Sequence, residues 1–362
     1  MQIIVFVLIL SVLVLIHEFG HFLMAKAFGM RVEEFGIGLP PRAKSLFTKA
    51  GTLFSLNWLP LGGFVKLYGE DYEDEEQLAS KEAFFNKPAW QRCIVLLAGV
   101  TMNFALGVLL FGVVYSYLGI PTETTNIHIV EVTKDSPAEK AGIQVDGIIK
   151  NVSFGNENYE FKTTQEFIKV IDSLKGKQIE LTMENKDGKT SMYKLTPREN
   201  PPAGQGALGV ALSNVEMKKF PWWQMPFRGA VVGMQEAISW GKEILNNLGT
   251  LLYGIFTGKG IPKDVAGPVG IYEVSKQVYQ FGWTAVLQFM GVLSVNLAIL
   301  NVMPFPALDG GRIAFLGVEK IIGKKRKNKI EGYVHTAGMI LLLLLMVLIT
   351  ARDIYRLVTH TM

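Results

Sequence analysis

Residues 17–21 read His-Glu-Phe-Gly-His, an HExxH pattern inside an apolar N-terminal run, Ile3 to Ala25, that is long enough to cross a bilayer. No other feature constrains the chain as much. On a helix, residues i and i+4 share a face, so His17 and His21 can hold one Zn²⁺ between them, with Glu18 beside the metal as general base. Two of the chain's five histidines fall in this motif. Two histidines that merely pack on a helix face would leave three ionisable groups in a membrane-like run unexplained. Such groups are costly inside a span, and function is the default reason for keeping them.

The rest of the chain fits a membrane setting. Its 362 residues are 49% hydrophobic and 19% charged, the profile of a multispanning protein with a soluble portion. Cys93 is the only cysteine, which rules out a disulfide within the chain and argues against thiolate zinc ligation. The net charge of +4 comes without an aromatic-interleaved basic surface, so the expected partner is the lipid bilayer and not nucleic acid. Met1 is followed almost at once by the apolar run, without a basic n-region or a cleavage site, so no cleaved signal peptide is expected.

Four spans are expected: Ile3 to Ala25, Cys93 to Leu118, Trp283 to Pro304 and Val334 to Ala351. The third carries Gln288, Asn296 and Asn301, which should face protein and not lipid. The basic cluster Lys324-Lys325-Arg326-Lys327 with Lys329 should stay cytoplasmic. Counting back from it places residues 31–92 in the cytoplasm and both termini outside. The acidic run from Glu70 to Glu76 reads as a solvated linker.

Between spans two and three the pattern changes to β-branched alternation with glycine punctuation. Residues 127–132, 178–183 and 191–195 read as strands, the last two joined by the Lys186-Asp187-Gly188-Lys189 turn, and Thr164 to Leu174 reads as an amphipathic helix. Through Asp135-Ser136-Pro137-Ala138-Glu139-Lys140-Ala141-Gly142-Ile143 this module resembles a PDZ domain, although the usual Gly-Asp pair appears reversed as Asp146-Gly147. Residues 201–206 read as a linker. The apolar stripe Val231, Met234, Ile238, Leu245, Leu248, Leu252 and Ile255 reads as an amphipathic helix lying on the outer membrane surface, since its polar residues would be unpaired in hydrocarbon.

The expected fold class is therefore a polytopic α-helical membrane protein with a membrane-associated β-hairpin and an inserted α+β PDZ domain. Its segments are span one with the motif (1–28), a cytoplasmic loop with the hairpin (29–92), span two (93–118), the extracytoplasmic PDZ module (119–200), a linker and interfacial helix (201–282), span three and a broken helix (283–323), a basic cytoplasmic loop (324–332) and span four (333–356).

Two histidines leave zinc one protein ligand short of a catalytic set. The best third candidate is Asp309, in Asn301-Val302-Met303-Pro304-Phe305-Pro306-Ala307-Leu308-Asp309-Gly310-Gly311-Arg312, where two prolines must interrupt a helix. Glu33 and Glu34 are rivals, but they require the chain to fold back. His128, His335 and His360 read as incidental.

HEFGH in the first span together with NVMPFPALDGG near the end resembles the site-2 protease family of intramembrane zinc metalloproteases, and within it the bacterial PDZ-containing, RseP-like branch. The resemblance spans essentially the whole chain. It implies one Zn²⁺ per chain held by His17, His21 and Asp309, with Glu18 as the catalytic glutamate. It implies substrate handling at Asn301 and Pro306, at Asn103 in Gly99-Val100-Thr101-Met102-Asn103, and at Gly62, Gly63 and Phe64 in Pro60-Leu61-Gly62-Gly63-Phe64-Val65. It further implies single-pass membrane proteins as substrates and a place in the bacterial cytoplasmic (inner) membrane, with the PDZ module outside. The chain departs from the best-known relatives in having one PDZ module and not two. The oligomeric state is left open.

His17 lies about 14 residues into span one, roughly 20 Å along the helix, so the site is expected nearer the cytoplasmic face. A substrate helix must unwind before attack, and the Thr52 to Leu67 hairpin offers a strand edge for the extended form. Two other classes compete: a non-catalytic PDZ adaptor that binds exposed C-termini, and a metal transporter. The intact Glu18 and the complete candidate ligand set argue against the adaptor. The transporter would need further intramembrane carboxylates or histidines, and apart from the motif and Asp309 the spans offer almost none.

Overall fold

The computed structural model describes residues 2–70, 80–145, 147–185, 188–202, 204–258 and 266–359. The acidic run beyond Glu70, Asp146, the Lys186-Asp187 turn and His360 lie outside them. In chain order the elements are α1 (Gln2–Ala27), β1 (Val32–Lys49), β2 (Thr52–Leu67), α2 (Ala89–Leu118), β3 (Ile120–Val132), α3 (Pro137–Lys140), β4 (Ile148–Phe154), β5 (Glu157–Tyr159), α4 (Thr164–Ser173), β6 (Ile179–Glu184), β7 (Thr190–Leu195), β8 (Val210–Lys218), α5 (Met225–Phe256), α6 (Pro268–Gln280), α7 (Trp283–Val302), α8 (Asp309–Ile322) and α9 (Lys324–Val358). They form two compact units, Met1–Tyr117 with Pro226–Met362, and Leu118–Met225.

In the first unit, α1, α2, α7 and residues Ile330–Val358 of α9 are long and apolar enough to cross a membrane. The inward face of α1 follows from helical spacing: Ile9, Leu13, His17, His21 and Ala25 recur at i+4 and are buried. Its opposite face exposes Ile3, Ile4, Leu8 and Val12, which suits lipid. The motif histidines therefore point into protein because the apolar stripe that contains them does.

The sheet of this unit is irregular in a useful way. Phe35 of β1 lies opposite both Val65 and Phe54, and Gly36 opposite both Phe64 and Ser55, so the first half of β1 runs between two limbs of β2. The limb Gly63–Leu67 has β1 on one side only among the described residues, which leaves it as an edge. Phe22 of α1 meets Phe35 at 5.5 Å and Phe54 at 5.9 Å and seats the sheet on the helix.

Helix α5 packs its N-terminal half against α2, the two helices running antiparallel where they meet. A Cβ on Gly233 would lie 2.5 Å from the Val108 carbonyl oxygen and 2.6 Å from Gly112 N, and one on Gly229 would lie 2.5 Å from the Gly112 carbonyl oxygen. The residues Gly229-Ala-Val-Val-Gly233 form a GxxxG face that allows this backbone approach. Across the same contact Glu236 of α5 receives a hydrogen bond from the Tyr115 hydroxyl of α2. One expectation for this unit is corrected: residues 324–332 are not a loop, because α9 begins at Lys324 and continues without a break. Lysine and arginine are good helix formers, and no proline interrupts the run.

The second unit is an antiparallel sheet in the order β7-β6-β4-β3-β8, with β5 on β4. Its core joins Ile127, Ile129, Val152, Leu181 and Met183 of the strands to Phe167 and Ile171 of α4. Thr163 caps α4 by accepting from Glu166 N at 3.2 Å. The expected module boundary at 200 is too short. Residues 210–218, assigned to a linker segment, form β8, which pairs with β3 from Val132↔Val210 to Ile120↔Lys218. Val210 and Leu212 of β8 keep apolar alternation but Val215 falls out of phase, a weak strand signal on its own.

Candidate metal centre and active site

His17 and His21 leave α1 on the same side, and Asp309, the first residue of α8, meets them from the far end of the chain. His17 Nε2 lies 3.0 Å and His21 Nε2 3.3 Å from Asp309 Oδ2, and the two Nε2 atoms are 3.1 Å apart. A tetrahedral zinc with ligand bonds of about 2.0–2.1 Å separates its donors by roughly 3.3 Å, so the triangle has the right size. Asp309 Oδ2 is buried without a hydrogen-bond partner, an orphan that a cation would satisfy. Among the described residues this is the group of three His, Cys, Asp or Glu whose donor atoms converge on a metal-sized site.

Outer contacts orient the donors. His21 Nδ1 donates to the Val95 carbonyl oxygen at 2.8 Å, which leaves its Nε2 lone pair for the metal. His17 Nδ1 lies 3.5 Å from Asn103 Nδ2, while Asn103 Oδ1 is buried without a partner. A neutral, metal-binding His17 needs an acceptor at Nδ1, and turning the Asn103 amide by 180° supplies one and satisfies both groups. Gly99 makes room for both rings, since a Cβ there would lie 2.5 Å from His21 Nε2 and 2.7 Å from His17 Cε1.

Helix α8 is fixed from two directions. Arg92, 1% exposed, forms a bidentate pair with Glu319 at 2.8 and 2.6 Å, and Arg312 pairs with Glu70. Breaking a buried pair of the Arg92 kind costs about 3–5 kcal/mol, so the helix that presents Asp309 is firmly held. In the loop before it, Ala307 has φ +75°, a left-handed conformation worth roughly 1–2 kcal/mol of strain for a residue with a Cβ.

Glu18 faces an open cavity of about 230 Å³, lined also by His17, Asp309, Asn103, Asn301 and Leu297. Its Oε2 accepts from Val65 N at 3.1 Å, which places the carboxylate at the edge limb Gly63–Leu67. Bound zinc supplies Lewis acidity to a carbonyl and lowers the pKa of a coordinated water. Glu18 is placed to take and return a proton, and Asn301 and Asn103 offer amides from the cavity wall.

Other residues singled out in the sequence lie elsewhere. Pro306 packs against Gly338 of α9 and is not in the cavity lining. Gly62 and Gly63 lie against Val14 and Leu15 of α1, and Phe64 covers Gly36, so this segment approaches the site by its backbone. The rival ligands are occupied. Glu33 pairs with Lys66 at 3.1 Å, and Glu34 with Arg42 and Ser55. Burial pushes Glu34 up, but the hydrogen bonds from Arg42 and Ser55 outweigh it and hold the carboxyl below its usual range.

A buried two-histidine, one-carboxylate donor set beside a glutamate defines a zinc metallopeptidase site. The chain belongs to peptidase family M50, whose family model matches residues 5–345. A Fusobacterium nucleatum protein named "Putative zinc metalloprotease" is 33% identical over 361 residues, 99% of each chain. A Clostridium perfringens protein with the same description is 34% identical over 356 residues, 98% of each chain. Zinc metalloprotease RasP of Oceanobacillus iheyensis is 28% identical over 433 aligned positions, covering 98% of this chain and 99% of that one. The protein is thus a multi-pass membrane zinc metallopeptidase.

Proposed function

We propose that this chain is an intramembrane endopeptidase that cuts transmembrane segments of single-pass membrane proteins, with anti-sigma-factor-like regulators and remnant signal peptides as the substrate classes, in regulated intramembrane proteolysis and stress-response signalling. The observation that carries the reading is the hydrogen bond between Glu18 and Val65 N–H. It brings the general base, the metal donors and an open strand edge together in the middle of an apolar helix. A substrate unwound into an extended strand and paired along Gly63–Leu67 has its peptide bond beside Glu18. Gly62, Gly63 and Phe64 then serve substrate through their backbone, while Asn301 and Asn103 act from the cavity wall.

The proposed setting is the bacterial cytoplasmic membrane, with residues 119–218 and both termini outside and the site nearer the cytoplasm. Residues 119–218 act as a PDZ-type module. A groove of about 460 Å³ between α4 and the edge strand β8, lined by Phe167, Ile171, Lys175, Leu208 and Leu212, supports peptide-strand addition there. A non-catalytic adaptor would have no use for a donor triad with a glutamate beside it.

The test is cleavage of a reporter transmembrane helix by the reconstituted protein, with the cut site mapped by mass spectrometry. Glu18→Gln keeps shape and zinc but removes the base, and a loss of about 10²–10⁴-fold is expected. Cuts confined to segments outside the membrane, or wild-type activity in Glu18→Gln, would refute the reading.

A further inference from the structure

Helix α7 ends at Val302 and α8 begins at Asp309, so the chain reverses over Met303–Leu308 before it delivers the carboxylate. Within this turn Phe305 N donates to the Met303 carbonyl oxygen at 2.7 Å and Leu308 N to the Phe305 carbonyl oxygen at 3.2 Å. Neither bond uses the amide of Ala307, the residue held at φ +75°. That amide donates to His335 Nδ1 of α9 at 2.9 Å. The other ring nitrogen faces Glu331 Oε1, one turn earlier on the same helix, at 3.7 Å. These two neighbours assign the proton to Nε2 and the acceptor role to Nδ1. Phe315 of α8 packs on the ring at 5.9 Å between centroids. One turn further along α9, Gly338 meets Pro306 so closely that a Cβ would lie 2.4 Å from the proline Cβ.

We propose that His335 is a positioning residue for the metal centre: by accepting the Ala307 N–H it fixes the left-handed turn two residues ahead of Asp309, and so the direction from which that carboxylate meets His17 and His21. Without the acceptor, the strained residue relaxes toward an extended backbone and swings Leu308 and Asp309 with it. Ala307 and Leu308 also line the cavity beside Glu18, so the same hydrogen bond sets one wall of the substrate space. A displacement of about 1 Å at a reacting centre costs on the order of 10²-fold in rate.

This inference rests on Asp309 being the third metal ligand, and the experiment separates the two claims. Full-length wild type, His335→Leu, His335→Asn and Asp309→Ala are purified and compared in three measurements. These are zinc retained against graded chelator, amide exchange of the peptide covering residues 303–308 in metal-free protein, and kcat and KM on a transmembrane reporter. His335→Leu is expected to speed exchange in that peptide, weaken zinc retention about tenfold and lower kcat about 10–100-fold with KM little changed. His335→Asn, whose Oδ1 takes the place of Nδ1, is expected to recover most of each. Wild-type exchange and zinc retention in His335→Leu would overturn the proposal, and so would an Asn variant no better than Leu. Global unfolding of both variants would overturn it too, because His335 would then support the whole bundle and not the turn. If Asp309→Ala keeps its zinc, the ligand assignment fails; if it loses zinc while His335→Leu keeps it, only the positioning role fails.

Discussion

The backbone N–H of Val65 donates to Glu18 Oε2 at 3.1 Å, so the proposed general base rests on the outer edge of a β-strand. Val65→Pro removes that donor without touching a metal ligand. Catalytic efficiency on a transmembrane reporter should fall at least tenfold, mainly through KM, because an added substrate strand needs the same edge. An unchanged KM would mean that substrate docks elsewhere.

Gly99→Ala places a methyl group where both imidazoles stand. Zinc content after dialysis should drop well below one per chain, while the other helices keep their protection from amide exchange. Full zinc occupancy in this variant would show that the rings sit differently from the arrangement described.

Asn103 is buried and reaches His17. If its oxygen is the acceptor for His17 Nδ1–H, Asn103→Asp should bind zinc at least as well as wild type and Asn103→Leu should lose about 10–100-fold in affinity. Chelator competition reads both variants. Tight binding by the Leu variant would return Asn103 to a role in substrate contact alone.

In the second unit, hydrogen bonds from Asn126 and His128 hold the Glu216 carboxyl below its ordinary value. A depressed folded-state value means that the contribution is complete above the unfolded value of about 4.3 and is lost as pH falls through the folded value. Protection factors along β3 and β8 should therefore be lower in Glu216→Gln than in wild type at pH 7, and the gap should narrow as pH falls below the unfolded value and close only below the depressed folded value. A gap that persists at low pH would assign the effect to shape and not to charge.

How much of this was legible in the sequence depended on distance along the chain. His17, Glu18 and His21 are one turn apart on one helix, so helix geometry alone reveals their convergence. Asp309 stood out only as the carboxylate of a proline-broken apolar segment, and its approach to the histidines depends on how α8 is held by Arg92 and Arg312. The contact of α5 with α2 is written in Gly229 and Gly233, but glycine spacing alone does not say which helix approaches. β8 was hidden because a Pro- and Gly-rich stretch precedes it and its partner, β3, lies about 80 residues earlier. His335 had no local signal, because its partner is a backbone amide whose need for an acceptor arises only once the turn at Ala307 forms.

The two halves of the metal centre are also far apart in time. Asp309 is made roughly 290 residues after His17, and at about 5–20 residues per second that is roughly 15–60 s of synthesis. During that interval the nascent chain holds both histidines and the glutamate in its first span but no third donor. The peptidase is therefore born inactive. Its first three spans, Gln2–Ala27, Ala89–Leu118 and Trp283–Val302, are made before the chain can hydrolyse anything.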